Sequence, residues 1–377
     1  MKHMNPRIIS LFSGCGGMDL GFIGDFTFLE KYYPKTEFKI AYANDIDPWA
    51  CATYRAYFGD HIVEGDISEI DFRALPDCEI VLGGFPCQDF SITRATNRKG
   101  IEVKRGKLYK EFVGVVKAKR PKVFVAENVK GILSANKGMA IRIIKADFEN
   151  LWMEDASKTR DIMLETLGYV VKYDLWNFAD YGVPQIRERV IMVGVREDID
   201  FNYLKSPPTH KKYVSSGEAL IGIENASFNN ALLRIKERTR QVIASIPEGG
   251  NNDDTRDRSL YVKGIMSNIY RRLDRKKPSP TIIAAGGGGT WGYHFEEPRP
   301  LTNRERARLQ SFPDSFEFIG STVEARRQIG NAVPPVGAYA IASAVKPALY
   351  AKKRPLGDIK RLREARSFER AEQLSLL

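Results

Sequence analysis

A cysteine that follows a buried strand and opens a polar loop is placed as a nucleophile would be, and Phe85-Pro86-Cys87-Gln88 has that setting. The run Glu79-Ile80-Val81-Leu82-Gly83-Gly84 precedes it, and a polar, basic stretch follows to Arg105. Ligands of open α/β sheets bind at the carboxyl ends of strands. A thiol whose thiolate is stabilised by a neighbour is a competent nucleophile near neutral pH. A small buried hydrophobe is the other reading of a free cysteine, so the remaining motifs carry the decision.

Leu11-Phe12-Ser13-Gly14-Cys15-Gly16-Gly17 places glycines between a strand and a helix, where backbone can approach a ligand closely. The spacing is neither the dinucleotide fingerprint nor a P-loop, and a tight turn without a ligand stays open. Ala43-Asn44-Asp45-Ile46-Asp47 ends the next strand. Asp45 there can accept hydrogen bonds from both hydroxyls of a ribose, with Ile46 against an adenine face. Either Asp45 or Asp47 could instead cap the helix that begins at Pro48. Gly65-Asp66-Ile67 ends a third apolar stretch, so acids or glycines at successive strand ends describe a nucleoside pocket.

Glu127, in Ala126-Glu127-Asn128-Val129, leaves another strand, where desolvation favours the neutral acid and a protonated carboxyl can donate to a ring nitrogen. In Gln185-Ile186-Arg187-Glu188-Arg189 the alternation puts Gln185, Arg187 and Arg189 on one face. That arrangement suits carbonyl or carboxylate contacts, with a salt-bridged surface strand as the alternative.

The elements that must position these groups alternate short β-branched runs with amphipathic segments, the pattern of a parallel sheet covered by helices. Strands are expected at Ile8–Phe12, Lys39–Ala43, Ile80–Gly83, Val123–Ala126, Val170–Trp176 and Val190–Val195. Helices are expected near Met18–Ile23, Pro48–Tyr57, Leu108–Ala118 and Arg160–Leu167. From Asp198 to Glu296 the alternation dissolves into polar, irregular sequence, read as a second, smaller domain. Regularity returns with Thr302–Ser311, which opens on the capping box Thr302-Asn303-Arg304-Glu305, and with a closing helix over Val336–Ala351. The expected organisation is therefore 1–197, 198–296, 297–351 completing the first unit, and a basic tail, 352–377, whose charge-rich part from Lys352 to Arg370 reads as a solvated helix, with phosphate contact as the alternative.

The 377 residues carry a net charge of +11, which suits a polyanionic partner. Four cysteines with no CxxC pair, and four histidines, leave no zinc-type cluster and fit a reducing compartment. The first residues lack the apolar core of a signal peptide, and no apolar run reaches membrane length.

Taken in order along the chain, these motifs resemble the DNA cytosine-5 methyltransferases of bacterial restriction-modification systems. The resemblance rests on the Phe-Ser-Gly-Cys-Gly-Gly loop, Phe85-Pro86-Cys87-Gln88, Arg105-Gly106-Lys107-Leu108, Glu127-Asn128-Val129 and Gln185 to Arg189. It continues through Arg304 to Pro313 and Gln328-Ile329-Gly330-Asn331-Ala332-Val333-Pro334. It implies a Rossmann-like α/β methyltransferase domain, a mostly parallel twisted sheet with helices on both faces, plus a small irregular target-recognition domain over 198–296.

The implied activity is methyl transfer from S-adenosylmethionine, leaving S-adenosylhomocysteine, to C5 of a cytosine flipped out of a specific double-stranded DNA sequence. Cys87 would add at C6, Glu127 donate to N3, Arg189 hold O2, the Phe85 carbonyl read the exocyclic amine, and Arg187 and Gln185 support the site. The cofactor would lie against Phe12, Gly14, Gly16, Gly17, Asp45, Ile46, Asp66, Ile67 and Pro86, with Asn331 and Val333 arriving from the C-terminal segment. Ser91, Thr93 and Arg105 in the loop after Cys87 would contact DNA, as would Asn268, Arg271, Gly287 and Gly288 in the recognition region. Double-stranded DNA, a cognate restriction endonuclease acting on the same site without a stable complex, no membrane, a monomer and a cytoplasmic setting complete the expectation. One departure is the 31 positions between Gly14 and Asp45, which reads as an insertion over 24–37.

Two rival readings are weaker. A tRNA-modifying relative would carry a Cys-Phe-Thr triplet in its recognition region, and this chain has no cysteine after Cys87. A catalytically silent DNA-binding relative is opposed by the presence of Cys87, Glu127 and Arg189 together.

Overall fold

The computed structural model describes residues 5–86, 108–151, 167–263, 270–284 and 292–375, the last stretch beyond 366 as backbone only. The six expected strands and one more, β5 (Ile62–Glu64), form one seven-stranded sheet with β1 (Arg7–Leu11), β4 (Lys39–Asp45), β6 (Ile80–Gly83), β7 (Val123–Val129), β8 (Tyr169–Asn177) and β9 (Glu188–Arg196) as its other members. Their order is β5-β4-β1-β6-β7-β9-β8. The pairs from β5 to β7 are parallel, and β9 runs antiparallel to both β7 and β8. The insertion over 24–37 contains a separate antiparallel hairpin, β2 (Phe26–Phe28) with β3 (Lys31–Tyr33).

Side-chain alternation divides the sheet's residues between two cores. Ile8, Ile80, Leu82, Val123, Val125, Ile191 and Val193 face one, with α1 (Gly17–Ile23) and α2 (Pro48–Phe58) packed over them. Ile9, Leu11, Val81, Phe124, Ala126 and Met192 face the other, beneath α3 (Leu108–Lys119) and α4 (Met139–Glu149). A fully buried Val, Ile or Phe contributes about 1.5–3 kcal/mol from apolar burial. Cover on both faces therefore fixes where the strand ends emerge.

After β9 the described chain has two short helices, α5 (Ser216–Leu220) and α6 (Glu237–Ser245), among turns and isolated bridges. Next come α7 (Asn303–Leu309), α8 (Thr322–Asn331) and α9 (Pro335–Val345). Thr302 caps α7 through the expected box, its hydroxyl accepting from Glu305 N while the Glu305 carboxylate accepts from Thr302 N. Helix α9 returns to the first core against α1, where a side chain on Gly21 would meet Pro335 O and Ala338 Cβ, both at 2.4 Å. Only glycine permits that approach.

Two expectations need correction. The closing helix does not run to Ala351 but stops at Val345, and a 3-10 turn, Lys346–Tyr350, follows. Pro347 explains the break, because it has no N–H to continue the ladder. The tail does form a helix, α10 (Leu356–Ser375), yet it is not simply solvated. Ile359 is buried, and Arg363 and Arg366 both reach the wholly buried carboxylate of Glu197 just after β9. A buried charge needs such partners. The helix expected at Arg160–Leu167 lies outside the described residues save for Leu167.

Candidate active site

The carboxyl ends of β1, β4 and β5 bring the nucleoside-pocket candidates together. After β1, Phe12, Gly14 and Gly16 all have positive φ, and the tight turn closes with Gly16 N donating to Ser13 O. The amide of Gly14 donates to Asp45 Oδ2 at 2.7 Å, and the amide of Asp47 to Asp45 Oδ1 at 2.9 Å. Burial raises the pKa of Asp45, and these amide donors oppose the rise. Asp47, not Asp45, is the helix cap, accepting from Trp49 N and Ala50 N. The cap alternative for Asp45 is thereby removed.

The three glycines differ in role. Among the described residues a side chain at Gly14 would meet nothing within 4 Å, so this position faces open space where a ligand could lie. One at Gly16 would strike the Phe58 ring at 2.2 Å, and one at Gly17 the carbonyl of Val333 at 2.4 Å. Those two absences make room for the protein itself, and the second puts Val333 against the loop. Asn331 is exposed at the end of α8.

Ile46 is 67% exposed beside Asp45, an apolar side chain left available for a flat ligand face. Asp66 accepts from both the amide and the hydroxyl of Ser68, while the Ile67 side chain is in the core and offers a ligand only its backbone. Asn44, which the sequence reading passed over, ties the strand ends together. Its buried amide donates to the carbonyls of Val63 and Gly65 at 3.0 Å each, holding the approach to Asp66 beside Asp45.

The second group of candidates meets at the ends of β6, β7 and β9. Arg189 Nε lies 2.9 Å from Glu127 Oε1, with both side chains largely buried. The ladder opposes Val129 to Arg189 and Glu127 to Ile191, so the two are diagonal neighbours on one face. The carboxyl expected to be desolvated at this strand end is indeed largely buried, and Arg189 is its partner there. Gly84 follows β6, and a side chain there would stand 3.1 Å from Glu127 Oε2. Phe85 is buried against Tyr109 and Phe112, while Pro86 is exposed.

Gln185 and Arg187 precede the ladder, which begins at Glu188, but burial still alternates through them, with Gln185 and Arg187 buried and Ile186 between them exposed. Gln185 is buried, accepting from Ile282 N and donating to Leu309 O and Gln310 Oε1. Arg187, 2% exposed, donates to the carbonyls of Ile282, Gly330 and Ala332. Burial and the Arg189 charge lower its pKa to about 9. Both residues hold distant segments of the chain together.

Arg271 is exposed, but its neighbour Arg272 is buried, donating to the carbonyls of Ile246, His294, Phe295 and Glu296. Cys87, Ser91, Thr93, Arg105, Asn268, Gly287 and Gly288 lie outside the described residues.

The sheet order, the open glycine turn beside an acid, and the Glu–Arg pair at the neighbouring strand ends define an α/β methyltransferase, and comparison with known proteins makes this specific. Residues 6–347 match the family model for C-5 cytosine-specific DNA methylases, and the chain belongs to that family. It is 52% identical over 353 residues to the Type II methyltransferase M.NgoFVII of Neisseria gonorrhoeae, spanning 91% of this chain and 87% of that one. It is 43% identical to M.BbvI of Brevibacillus brevis, spanning 91% of each. In fold it resembles a prophage-encoded E. coli chain described as a DNA modification methyltransferase, with a TM-score of 0.67 at 24% identity, covering 92% of this chain and 99% of that one. The protein is a DNA cytosine-5 methyltransferase.

Proposed function

We propose that this chain methylates one cytosine within a specific double-stranded DNA sequence, using Cys87 as a transient covalent nucleophile and S-adenosylmethionine as methyl donor. The observation that carries the reading is the convergence of the Glu127–Arg189 pair, Gly84 and the Phe85 carbonyl at one strand end, directly before Cys87.

The residues present fit the donor. Gly14 faces open space, Asp45 retains lone pairs for ribose hydroxyls, and Ile46 offers an exposed apolar surface to adenine. Asp66, the backbone at Ile67, Pro86 and Val333 would complete the pocket. When bound, the donor supplies an electrophilic methyl group.

Cytosine C5 is a poor nucleophile while the ring is aromatic. Addition of the Cys87 thiolate at C6 breaks the aromaticity and makes C5 enamine-like. Glu127 would engage N3 and stabilise charge as it develops, and Arg189 would hold O2. Once C5 has accepted the donor's methyl group, loss of the C5 proton would expel the thiolate from C6 and leave 5-methylcytosine. The reacting carbon is inaccessible inside a duplex, so the base must leave the stack. The region 198–296 would select the sequence, and the relatives' membership of Type II systems supports a protective role against an endonuclease of the same specificity.

Bisulfite sequencing of plasmid from a methylation-deficient host expressing this chain tests the reading. Protected cytosines should share one sequence context and vanish with Cys87→Ser. Uniform conversion with the intact chain, or protection surviving in the variant, would overturn it.

A further inference from the structure

Asn128 has an arrangement that the proposed chemistry does not yet use. Its side chain is 6% exposed, and its amide nitrogen donates to the carbonyl of Phe85 at 3.0 Å. Its own oxygen accepts from Val129 N at 2.9 Å, which fixes the orientation of the amide. The bond crosses from the end of β7 to the turn after β6, two strands held in parallel register by Gly83 opposite Ala126. On the same turn, the space at Gly84 is bounded by Glu127 Oε2 and Glu127 O. One residue of β7 thus presents a carboxyl to this turn while the next grips its carbonyl.

A carbonyl oxygen has two lone pairs. Asn128 takes one and aims the other. We propose that Asn128 is a positioning residue for base identity: it fixes the Phe85 carbonyl as the acceptor for the exocyclic amine of the target cytosine. This rests on the reading of the site as a cytosine pocket. A pyrimidine with oxygen at that position would set two acceptors against each other, and one with hydrogen there would leave the aimed lone pair unmatched. A site built to hydrogen-bond a group discriminates strongly against analogues that lack it. Without Asn128 the turn keeps its glycine and its buried Phe85 ring, but the carbonyl loses its fixed direction.

The test is a cycle that removes the amine from the DNA and the amide from the protein. Reversible binding is measured with the full-length chain carrying Cys87→Ala, with and without Asn128→Ala, on duplexes whose target base is cytosine or 2-pyrimidinone, which lacks the amine. Costs of unstacking each base are common to both proteins and cancel. With Asn128 present, loss of the amine should weaken binding about five- to tenfold, the worth of one hydrogen bond. With Asn128→Ala the same change should cost less than about twofold.

Equal factors in the two proteins would overturn the proposal, since a purely structural Asn128 gives additive effects. Melting temperature and S-adenosylhomocysteine affinity by calorimetry report whether the variant folds. Should the alanine variant not fold, Asn128→Asp, of the same shape but without the amide donor, repeats the cycle. Failure here is separable from failure of the proposed function: a chain that methylates cytosine but ignores loss of the amine refutes only the role of Asn128. A chain that transfers no methyl group to DNA refutes both.

Discussion

Arg189 and Glu127 form an ion pair of 2.9 Å across the diagonal of the β7–β9 ladder, joining the two side chains assigned to neighbouring positions, O2 and N3, on one edge of the target base. The sheet register itself therefore presets their separation. Arg189→Ala and Glu127→Gln should each lower the single-turnover methylation rate with little change in cofactor affinity. The double variant should be less impaired than the product of the two, with a coupling of about 1–3 kcal/mol, as expected for contacting residues. Rapid-quench measurement of all four proteins decides this, and strict additivity would show that the pair does not act as a unit.

Asp45 and Asp47 are two positions apart and should fail differently. Asp45→Ala removes the acceptor facing the glycine turn and should weaken S-adenosylhomocysteine binding roughly ten- to a hundredfold, from about 1.5–3 kcal/mol of lost charged hydrogen bonds. Asp47→Ala removes the cap of α2 and should cost about 1 kcal/mol of stability while leaving cofactor affinity nearly unchanged. Calorimetry and thermal denaturation of both variants give the comparison. The opposite pattern would move the ribose contact to Asp47.

The contrast between Arg187 and Arg189 shows what the sequence could and could not reveal. Strand positions were legible because runs such as Ile80-Val81-Leu82 and Val123-Phe124-Val125 fill cores on both faces, which requires continuous apolar sequence. The acids and glycines at strand ends were legible because few residue types suit those positions. What Gln185 and Arg187 hold was not legible, because their partners Ile282, Leu309 and Gly330 lie far away in sequence. Asn44 and Asn128 were passed over for a related reason: a single asparagine looks like any turn residue until the carbonyl it holds is known. The docking of α10 on Glu197 depends likewise on a bond between residues 166 positions apart.

Arg187→Lys should be poorly tolerated although charge is conserved. One ammonium cannot reproduce donation in a plane to the carbonyls of Ile282, Gly330 and Ala332. Each buried acceptor left unmatched costs about 1–3 kcal/mol, so denaturant titration should show a loss of at least about 2 kcal/mol. S-adenosylhomocysteine affinity should fall in folded protein, because Asn331 and Val333 sit on the released segment. A variant of wild-type stability with only its catalytic rate reduced would restore Arg187 to the reacting centre.

Asp19 gives a pH signature. It is completely buried in α1 behind the glycine turn, and burial raises its pKa from 3.8 to about 7. The folded state therefore binds this proton more tightly than the unfolded state does. Its stabilising effect is complete below about pH 4, declines through the window from about 4 to 7, and is lost above the folded pKa. The slope is about 1.4 kcal/mol per pH unit within that window. Asp19→Asn cannot ionise, so its stability relative to wild type should rise steadily from about pH 4 to 7 and then level off. A difference between the two proteins that stays flat over this range would show that Asp19 does not titrate there.

Arg271 and Arg272 are adjacent and should separate addressing from folding. Arg272 is consumed by four carbonyls, so Arg272→Ala should destabilise the region around it and lower melting temperature and DNA binding together. Arg271 is exposed, and Arg271→Ala should leave melting unchanged. If its guanidinium reads a guanine edge, selectivity at one base position should relax by about 1–3 kcal/mol. If it contacts phosphate, binding should weaken uniformly and the salt dependence should become shallower. Methylation profiling over a randomised site library at two salt concentrations distinguishes the two outcomes. An Arg271→Ala variant with wild-type affinity, salt slope and sequence profile would remove this residue from the DNA interface and direct the search for the reading loop to Gly286–Trp291.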